Sequence, residues 1–385
     1  MNSTPRNASR LSGQLMVAAM VVALFMANTR FSEFYHVLHH TVAGVHIGGF
    51  SYEKPIYLWI NEGLLVLFFL KIGLETKREL LTGALSASRV WRLPLLAALG
   101  GMAVPALIYI AFNFGDGQAL SGWAVPAATD AVLAIGILSL FSSRKVTPLV
   151  AFLTVIAVFD DIGAIAIIGL FYGETFNHSA AVMALALTGV LFALGAFRLK
   201  SLTPYFVVTG FLWAALLASG LHATLAGVAL GFAIPLHGKE EEHGPLDRLV
   251  RDISPIVMFA IVPAFAFFNS GILLSGDVLR ALSAPVSLGI VTGLVVGKPI
   301  GIAGTAYLAE KLSFAELPKE LRWSDVCAAS IFGGIGFTMS IFIASVAFPS
   351  MEQLNVARLS VLSASLLASL LGVIFLMARQ RFQIK

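Results

Sequence analysis

Long apolar runs separated by short polar segments set the pattern of the chain. The first run covers residues 11–27 and follows a polar start that carries Arg6 and Arg10. A charged start before an apolar run resembles a signal peptide, but we find no convincing small-x-small cleavage site, so we interpret the run as the first helix. Each run is near the ~20 residues that a membrane-spanning helix needs. Twelve crossings are predicted, the later ones at 56–74, 93–114, 122–142, 147–172, 179–197, 203–219, 221–236, 254–274, 285–309, 325–348 and 356–378.

The composition indicates a membrane protein. Of the 385 residues, 58% are hydrophobic and only 12% are charged, whereas soluble domains carry about 25% charged residues. We therefore predict an all-α polytopic membrane protein that forms a single transmembrane domain over residues 1–385. The net charge of +4 would suggest a nucleic-acid partner in a soluble protein, but here we assign the excess to loops and expect no nucleic acid. The single cysteine, Cys327, excludes an intrachain disulfide.

The distribution of Lys and Arg predicts the orientation of the chain. If the N-terminus is cytoplasmic, 19 of the 25 Lys and Arg residues fall in inside segments and four in outside segments, with Lys71 and Lys298 inside helices. Cytoplasmic loops carry an excess of positive charge. We therefore expect both termini to be cytoplasmic.

Two adjacent carboxylates, Asp160 and Asp161, lie in the middle of the apolar run at 147–172. A charge at the bilayer centre costs at least ~3 kcal/mol, so two of them in one run indicate a use. An aspartate pair in a turn between soluble helices is the alternative, but the apolar flanks are too long for it. The pair is our main candidate for a cation or proton site.

Two of the predicted helices carry residues that interrupt a helix. The fourth contains Pro126-Ala-Ala-Thr129-Asp130, and the eleventh contains Gly333-Gly-Ile-Gly-Phe-Thr-Met-Ser340. Irregular backbone at membrane depth survives only inside protein or beside water, and interrupted helices in both halves of a chain indicate a transporter site. The tenth helix carries Lys298, which needs a carboxylate partner at that depth. Its candidate partners are the aspartates at 130, 160 and 161.

The segment between the first two helices is open to more than one interpretation. Short runs at Val42–Ile47 and Phe50–Glu53 flank Gly48-Gly49 and are typical of a β-hairpin, although a plain loop fits the spacing equally well. An isolated hairpin is only marginally stable, so the hairpin near 42–53 is a candidate dimer contact. Four histidines, at 36, 39, 40 and 46, suggest a metal, but we favour a solvated loop because no carboxylate or thiolate pattern accompanies them.

The second predicted helix holds several further charges. Glu62 lies near its outer end, and Lys71 precedes Glu75 by one turn, so the two are expected to pair. Arg78 and Glu79 follow at the cytoplasmic boundary with Lys77. We slightly favour an interfacial charge cluster over a direct ion-binding role for this group. His222, in the eighth helix, is expected to be a hydrogen-bonded packing residue.

Seven stretches between the second and eleventh predicted helices carry a family resemblance: Trp59-Ile-Asn-Glu-Gly63, Gly73-Leu-Glu-Thr-Lys-Arg-Glu79, Pro126-Ala-Ala-Thr-Asp130, Phe159-Asp-Asp-Ile-Gly-Ala164, His222-Ala-Thr-Leu-Ala-Gly227, Gly297-Lys-Pro299 and Gly334-Ile-Gly-Phe-Thr-Met-Ser-Ile341. Together they resemble the motifs of the NhaA family of sodium/proton antiporters. The resemblance implies one transporter domain in the bacterial inner membrane. It also implies inverted repeats in helices III–V and X–XII, with broken helices IV and XI crossing. The hairpin would be periplasmic and would serve a homodimer.

The same resemblance implies roles for the site residues. Asp161 would be the main cation ligand, and Asp160 the partner of Lys298. Asp130 would neutralise the positive ends of the facing half-helices and Lys298 the negative ends, while Thr129 would support the site. Glu75, Arg78, Glu79 and Glu62 would belong to a cytoplasmic funnel or a pH response.

The sequence departs from the family pattern at two places that bear on pH sensing. The family often has Asp where this chain has Glu62, which keeps the charge on a longer side chain. The start of the ninth helix often carries histidines, but the stretch 246–255 has none. The exchange chemistry is therefore expected, whereas the pH set point is open.

The expected activity is exchange of Na⁺ or Li⁺ for H⁺, because both hard cations prefer oxygen ligands and would compete with protons for the same carboxylates. Burial and like charge make the two aspartates titrate as a coupled unit. No P-loop pattern is present, and we expect no cofactor and no enzymatic activity. An intramembrane aspartyl protease is the rival enzyme, but it needs carboxylates on separate helices. A passive channel is the second rival.

Overall fold

A computed structural model describes residues 5–47, 50–82, 91–141, 147–173, 177–236, 244–274 and 278–383. These residues are mostly helical, as the apolar runs predict. In chain order the helices are α1 (Pro5–Ala27), α2 (Ser32–His40), α3 (Ile56–Leu81), α4 (Arg92–Phe112), α5 (Gly117–Ala127), α6 (Ala131–Phe141), α7 (Thr147–Phe171), α8 (His178–Ala196), α9 (Thr203–Ser219), α10 (Leu225–Ala233), α11 (Pro245–Ser270), α12 (Val278–Ser283), α13 (Pro285–Lys311), α14 (Trp323–Gly333), α15 (Phe337–Ala347) and α16 (Met351–Gln383).

Eight to ten membrane-spanning candidates are present among the described residues. Eight single helices are long and apolar enough, namely α1, α3, α4, α7, α8, α11, α13 and α16. The bent pairs α5 with α6 and α14 with α15 raise the number to ten. The other two predicted crossings coincide with α9 and α10, which have 17 and 9 residues. The chain is a multi-pass membrane protein, and the number twelve stays a prediction.

The predicted hairpin is present as a two-stranded antiparallel sheet. Strand β1 covers Val42–Ile47 and β2 covers Phe50–Pro55, with Ile47 opposite Phe50. The predicted Gly48-Gly49 turn lies outside the described residues. The sheet confirms the hairpin over the plain loop, while its periplasmic location stays a prediction.

The chain divides into two compact units. The first comprises Met1–Asn28, Ala84–Ala164 and Asn269–Lys385, and the second comprises Thr29–Gly83 and Ile165–Phe268. Whether the whole chain acts as one transporter domain stays a prediction.

Glycines let helices approach closely within each unit. In the first unit, a Cβ atom on Gly301 of α13 would lie only 2.7 Å from the carbonyl carbon of Gly100 in α4. In the second unit, a Cβ atom on Gly231 of α10 would lie 2.8 Å from the backbone of Gly73 in α3. Small residues at helix interfaces allow the backbone contact that drives helix association in membranes.

The histidine-rich segment is helical rather than a solvated loop, which corrects the expectation from sequence. His36, His39 and His40 lie on α2. His39 is buried, with its Nε2 atom 3.0 Å from the carbonyl oxygen of Phe268, and it stacks on Tyr57. Among the described residues, no group of three His, Cys, Asp or Glu side chains could hold a metal.

Two boundaries also differ from the predicted ones. Helix α11 begins at Pro245, nine residues before the predicted start. Its first three turns are amphipathic, so a search for apolar runs misses them. Helix α16 begins at Met351, five residues before the predicted run at 356–378. Arg358, one of the four Lys and Arg residues counted as outside, is therefore buried within this helix, and it donates to the Asn269 side chain at 3.0 Å.

Candidate functional site

Two helix breaks meet in the first unit. The pair α5 and α6 is bent by 45° and the pair α14 and α15 by 42°. Pro126 lies near the end of the 3₁₀-helical part of α5, Ser121–Ala127, and it has no backbone N–H to continue the helix. The backbone N–H of Asp130 donates to the carbonyl oxygen of Ile335 at 2.6 Å. Each break therefore satisfies a backbone group of the other, as buried irregular backbone requires.

The Asp130 carboxylate caps two half-helices at once. Its Oδ1 atom accepts the backbone N–H of Leu133 in α6 at 2.9 Å. Its Oδ2 atom accepts the backbone N–H of Thr338 in α15 at 3.0 Å and the Thr338 hydroxyl at 2.6 Å. A carboxylate at a helix N-terminus satisfies free N–H groups and opposes the positive end of the helix dipole. These contacts are those expected for a residue that neutralises both half-helix ends.

Thr129 contacts both a carboxylate and a helix end. Its Oγ1 atom lies 2.6 Å from Oδ2 of Asp160 and 2.8 Å from the carbonyl oxygen of Gly333, the last residue of α14. A hydroxyl carries one proton, so it donates to only one of these acceptors at a time. The protonation of Asp160 and the hydrogen bonding of the helix break are therefore linked through Thr129.

Lys298 and Asp160 form a fully buried ion pair. The Lys298 Nζ atom lies 2.5 Å from Asp160 Oδ2, and both side chains have 0% exposure. This contact selects Asp160 from the three candidate partners and confirms the pairing that the resemblance implied. The other carboxylate oxygen, Oδ1, is buried without a hydrogen-bond partner in the structure. A buried oxygen of this kind can accept a hydrogen bond from water or coordinate a bound cation.

Asp161 differs from its neighbour in exposure. It is partly exposed, whereas Asp160 is buried, since adjacent helical residues point about 100° apart. Asp161 also acts electrostatically on Lys298. One aspartate therefore faces an internal cation while the other reaches a more open environment. The site thus contains the Asp160 and Asp161 carboxylates, the Thr129 hydroxyl and Lys298, next to the two helix breaks that Asp130 caps.

The predicted funnel and pH residues lie on α3 in the second unit. Glu75 pairs with Lys71 at 2.6 Å, which confirms the expected i,i+4 contact. Glu62 lies in a π-helical stretch, Trp59–Leu64, and pairs with Lys54, a contact that the sequence did not indicate. Arg78 and Glu79 lie in the last turn of the same helix. The functional roles of this group stay predictions.

The sequence analysis did not predict several polar contacts that the structure contains. Lys77 donates to the carbonyl oxygens of Phe232 and Ile234 at 2.7 and 2.6 Å, at the C-terminal end of α10. Asp325 and Arg379 form an ion pair at 2.5 Å. A lysine or arginine near a helix boundary is the usual membrane pattern, so only the fold identifies these partners. His222 was anticipated correctly, with its Nε2 atom 2.6 Å from the Tyr172 carbonyl oxygen.

A membrane protein with paired carboxylates and a buried lysine next to two helix breaks belongs to the class of ion-handling membrane proteins. The family model described as Na⁺/H⁺ antiporter 1 matches residues 5–376, and the chain belongs to this family.

The chain aligns with curated relatives over nearly the full length of both proteins. The chain is 46% identical over 366 residues to the Na⁺/H⁺ antiporter NhaA of Vibrio campbellii, covering 94% of this chain and 92% of that protein. It is 46% identical over 362 residues to NhaA of Vibrio cholerae, covering 94% and 93%. It is 45% identical over 368 residues to NhaA of Aliivibrio salmonicida, covering 94% of each.

Proposed function

We propose that this protein is a secondary active antiporter that exchanges Na⁺ or Li⁺ for H⁺. The observation that carries the proposal is the buried Lys298–Asp160 pair, which Thr129 connects to the broken helices. A charged pair at this depth is costly to maintain and is typical of ion or proton pathways. The names of the relatives, which describe Na⁺/H⁺ antiporters, support the choice of ions.

The proposed chemistry is competition for one set of oxygens. Asp161 is the main cation ligand, with Asp160 and Thr129 contributing further oxygens. Na⁺ and Li⁺ bind the charged carboxylates, and protons bind the same atoms. Binding of one ion therefore releases the other, and no ATP is needed.

Two residues compensate the charges of the site when no cation or proton is bound. Lys298 balances Asp160 when neither cation nor proton is bound, and it also opposes the negative ends of the half-helices. Asp130 balances their positive ends, as its contacts with Leu133 and Thr338 support. Breaking a buried pair by removing one partner is strongly destabilising, so Lys298 is needed for a stable empty state.

Transport follows alternating access, with rocking of one helix bundle against the other exposing the site to each side in turn. The two bent pairs of helices support this assignment and the inverted repeats behind it. The protein lies in the bacterial inner membrane with both termini cytoplasmic, where it regulates internal pH and sodium. Glu62, Glu75, Arg78 and Glu79 contribute to the funnel or the pH response. The hairpin at 42–53 joins two copies as a homodimer.

The deciding experiment measures Na⁺-driven proton movement in proteoliposomes. An imposed Na⁺ gradient should build a pH gradient, Li⁺ should replace Na⁺, and K⁺ should serve as the comparison cation. Because protons and Na⁺ compete, each unit fall in pH should raise the KM for Na⁺ by at least about threefold where the site is mostly protonated. The Vmax should change little over the same range.

The variant Asp161→Asn provides the inactive comparison for that assay. It keeps the size of the side chain, removes the titrating group and should abolish exchange in a folded protein. A KM for Na⁺ that does not depend on pH, or full activity in Asp161→Asn, would mean that protons and Na⁺ use different sites. A passive channel would build no pH gradient from Na⁺. Peptide hydrolysis in detergent would indicate the protease instead.

A further inference from the structure

A second, largely buried ion pair lies at the start of α14. Arg379 Nη1 is 2.5 Å from Asp325 Oδ1, and the side chains are 18% and 8% exposed. The other oxygen of Asp325 accepts the backbone N–H of Arg322 at 2.9 Å, which closes the first turn of α14. Because both oxygens are engaged, the carboxylate fixes the start of α14 to Arg379 in the last turns of α16. Little solvent is present to screen this pair.

One face of α16 contacts α14 and the start of α15. Arg379, Gly372 and Ser365 are spaced seven residues apart, so they lie on one side of α16. A Cβ atom on Gly372 would come within 2.8 Å of the Phe332 ring near the end of α14. The Ser365 hydroxyl accepts the backbone N–H of Phe337 at the start of α15, at 3.3 Å. Helix α16 is thus a continuous support along which both half-helices are aligned.

The far end of α14 forms part of the candidate site. Helix α14 has 11 residues, about 16 Å at 1.5 Å per residue. Its last residue, Gly333, offers the carbonyl oxygen that lies 2.8 Å from the Thr129 hydroxyl. The residues Val326, Ala329 and Phe332 between the two ends are fully buried. An axial shift at Asp325 would therefore be carried along the helix to the Gly333 carbonyl and to Thr129.

We propose that Arg379 is a positioning residue for cation binding. By holding Asp325, it sets the axial position of α14 along α16, and so places the Gly333 carbonyl against Thr129 and Asp160. The inference rests on the proposed antiport function. According to this inference, the contact at the start of α14 contributes to the affinity for Na⁺, although it lies outside the aspartate pair. A tightly packed helix transmits such a shift because its neighbours do not deform continuously.

The test measures KM and Vmax for Na⁺ in proteoliposomes at fixed pH for Arg379→Gln, Asp325→Asn and the double variant. Each single substitution should raise the KM about three- to tenfold, which lies within the roughly two- to thirtyfold range seen when residues remote from a ligand are changed. The Vmax per folded protein should stay within about twofold because the titrating groups are intact. The double variant should raise the KM by much less than the product of the two single effects, since each change removes the same contact. The ratio of KM values for Li⁺ and Na⁺ should also change.

The matched control is Arg251→Gln, which removes an arginine from the exposed pair with Asp252, whose side chains are 70% and 67% exposed. Its KM should match that of the wild type, because exposed pairs contribute little. If Arg379→Gln and Asp325→Asn yield no folded protein, Arg379→Lys and Asp325→Glu take their place. These variants keep the charges but change the geometry of the pair, so we expect the KM to rise by about two- to threefold.

Three outcomes would overturn the inference. One is a KM for Arg379→Gln, or for the conservative pair if needed, equal to that of Arg251→Gln. Another is independent, multiplying effects in the double variant. The third is a loss confined to the amount of folded protein, which would indicate a purely structural ion pair. Failure of the proposed function would look different, because the wild type itself would then show no Na⁺-driven proton movement.

Discussion

The Lys298 ammonium lies 2.5 Å from Asp160 Oδ2, and neither side chain is exposed. Replacing Lys298 by Ala leaves a buried carboxylate without its cation, a loss that typically costs about 3–5 kcal/mol. Part of this cost is avoided if Asp160 takes up a proton instead. We therefore expect Lys298→Ala to unfold at a lower temperature and to exchange Na⁺ poorly.

The variant Lys298→Arg keeps the positive charge and should retain more activity and a higher Tm than Lys298→Ala. Thermal unfolding in detergent and exchange in proteoliposomes over a pH series would measure both effects. Wild-type stability and activity in Lys298→Ala at every pH would show that the ion pair has no role.

Asp130 gives a second prediction because its two oxygens accept from different half-helices. In Asp130→Asn, one of those oxygens becomes an amide group that only donates. It would then face the N–H of Leu133 or the N–H and hydroxyl of Thr338. An unsatisfied buried donor costs about 1–3 kcal/mol, so we expect a lower Tm together with impaired exchange. A Tm unchanged from the wild type would argue against the double cap.

Much of the fold follows from local sequence. The apolar runs indicate the long helices, and Pro126 and the glycines near Gly334 indicate both helix breaks. Helix α2 could not be predicted in this way, since it has only nine residues and is rich in histidine. Tyr35 and His39 hold it through the carbonyl oxygens of residues 267 and 268, more than 200 positions away. Contacts of that kind depend on the folded chain rather than on propensity.

The site was predictable only as a set of residues. Depth in the membrane singles out Asp160, Asp161 and Lys298, because each is costly there. Which aspartate pairs with Lys298 depends on the rotation of α7 relative to α13, which spacing along the chain does not determine. Arg379 gave no signal, since arginines are expected at the cytoplasmic ends of membrane helices.

Two glycines of α13 provide a matched test of helix packing. A Cβ atom on Gly301 would lie 2.7 Å from the Gly100 carbonyl carbon, whereas one on Gly304 would meet nothing within 4 Å. Overpacking typically costs about 1–3 kcal/mol, so Gly301→Ala should lower the Tm and Gly304→Ala should not. Equal Tm values for the two variants would mean that α4 and α13 pack less closely than the structure has them.

The orientation can be tested with single cysteines in a Cys327→Ser background. The positive-inside distribution predicts that Gly48 is outside and Lys239 inside. An impermeant thiol reagent applied to intact cells should therefore label the Gly48→Cys variant and spare Lys239→Cys. Disrupted cells, in which both should react, provide the control. Labelling of Lys239→Cys alone in intact cells would reverse the orientation.

Thr129 should set how well protons compete with Na⁺. Its hydroxyl lies 2.6 Å from Asp160 Oδ2, and a donor to the charged carboxylate favours that form over the protonated one. Thr129→Val keeps the shape but removes the donor, so protons should compete better. A hydrogen bond to a charged group contributes about 1.5–3 kcal/mol, so we expect the KM for Na⁺ at neutral pH to rise by about tenfold or more.

The pH profile of the Thr129 variants distinguishes this role from a loss of packing. In Thr129→Val, exchange should begin at a higher pH than in the wild type, because Na⁺ displaces the more tightly held proton only when protons are scarcer. Thr129→Ser restores the hydroxyl and should restore the wild-type profile, even though it lacks the methyl group. If Thr129→Ser behaved like Thr129→Val, the methyl contact would matter more than the hydrogen bond. The protonation of Asp160 would then not depend on Thr129.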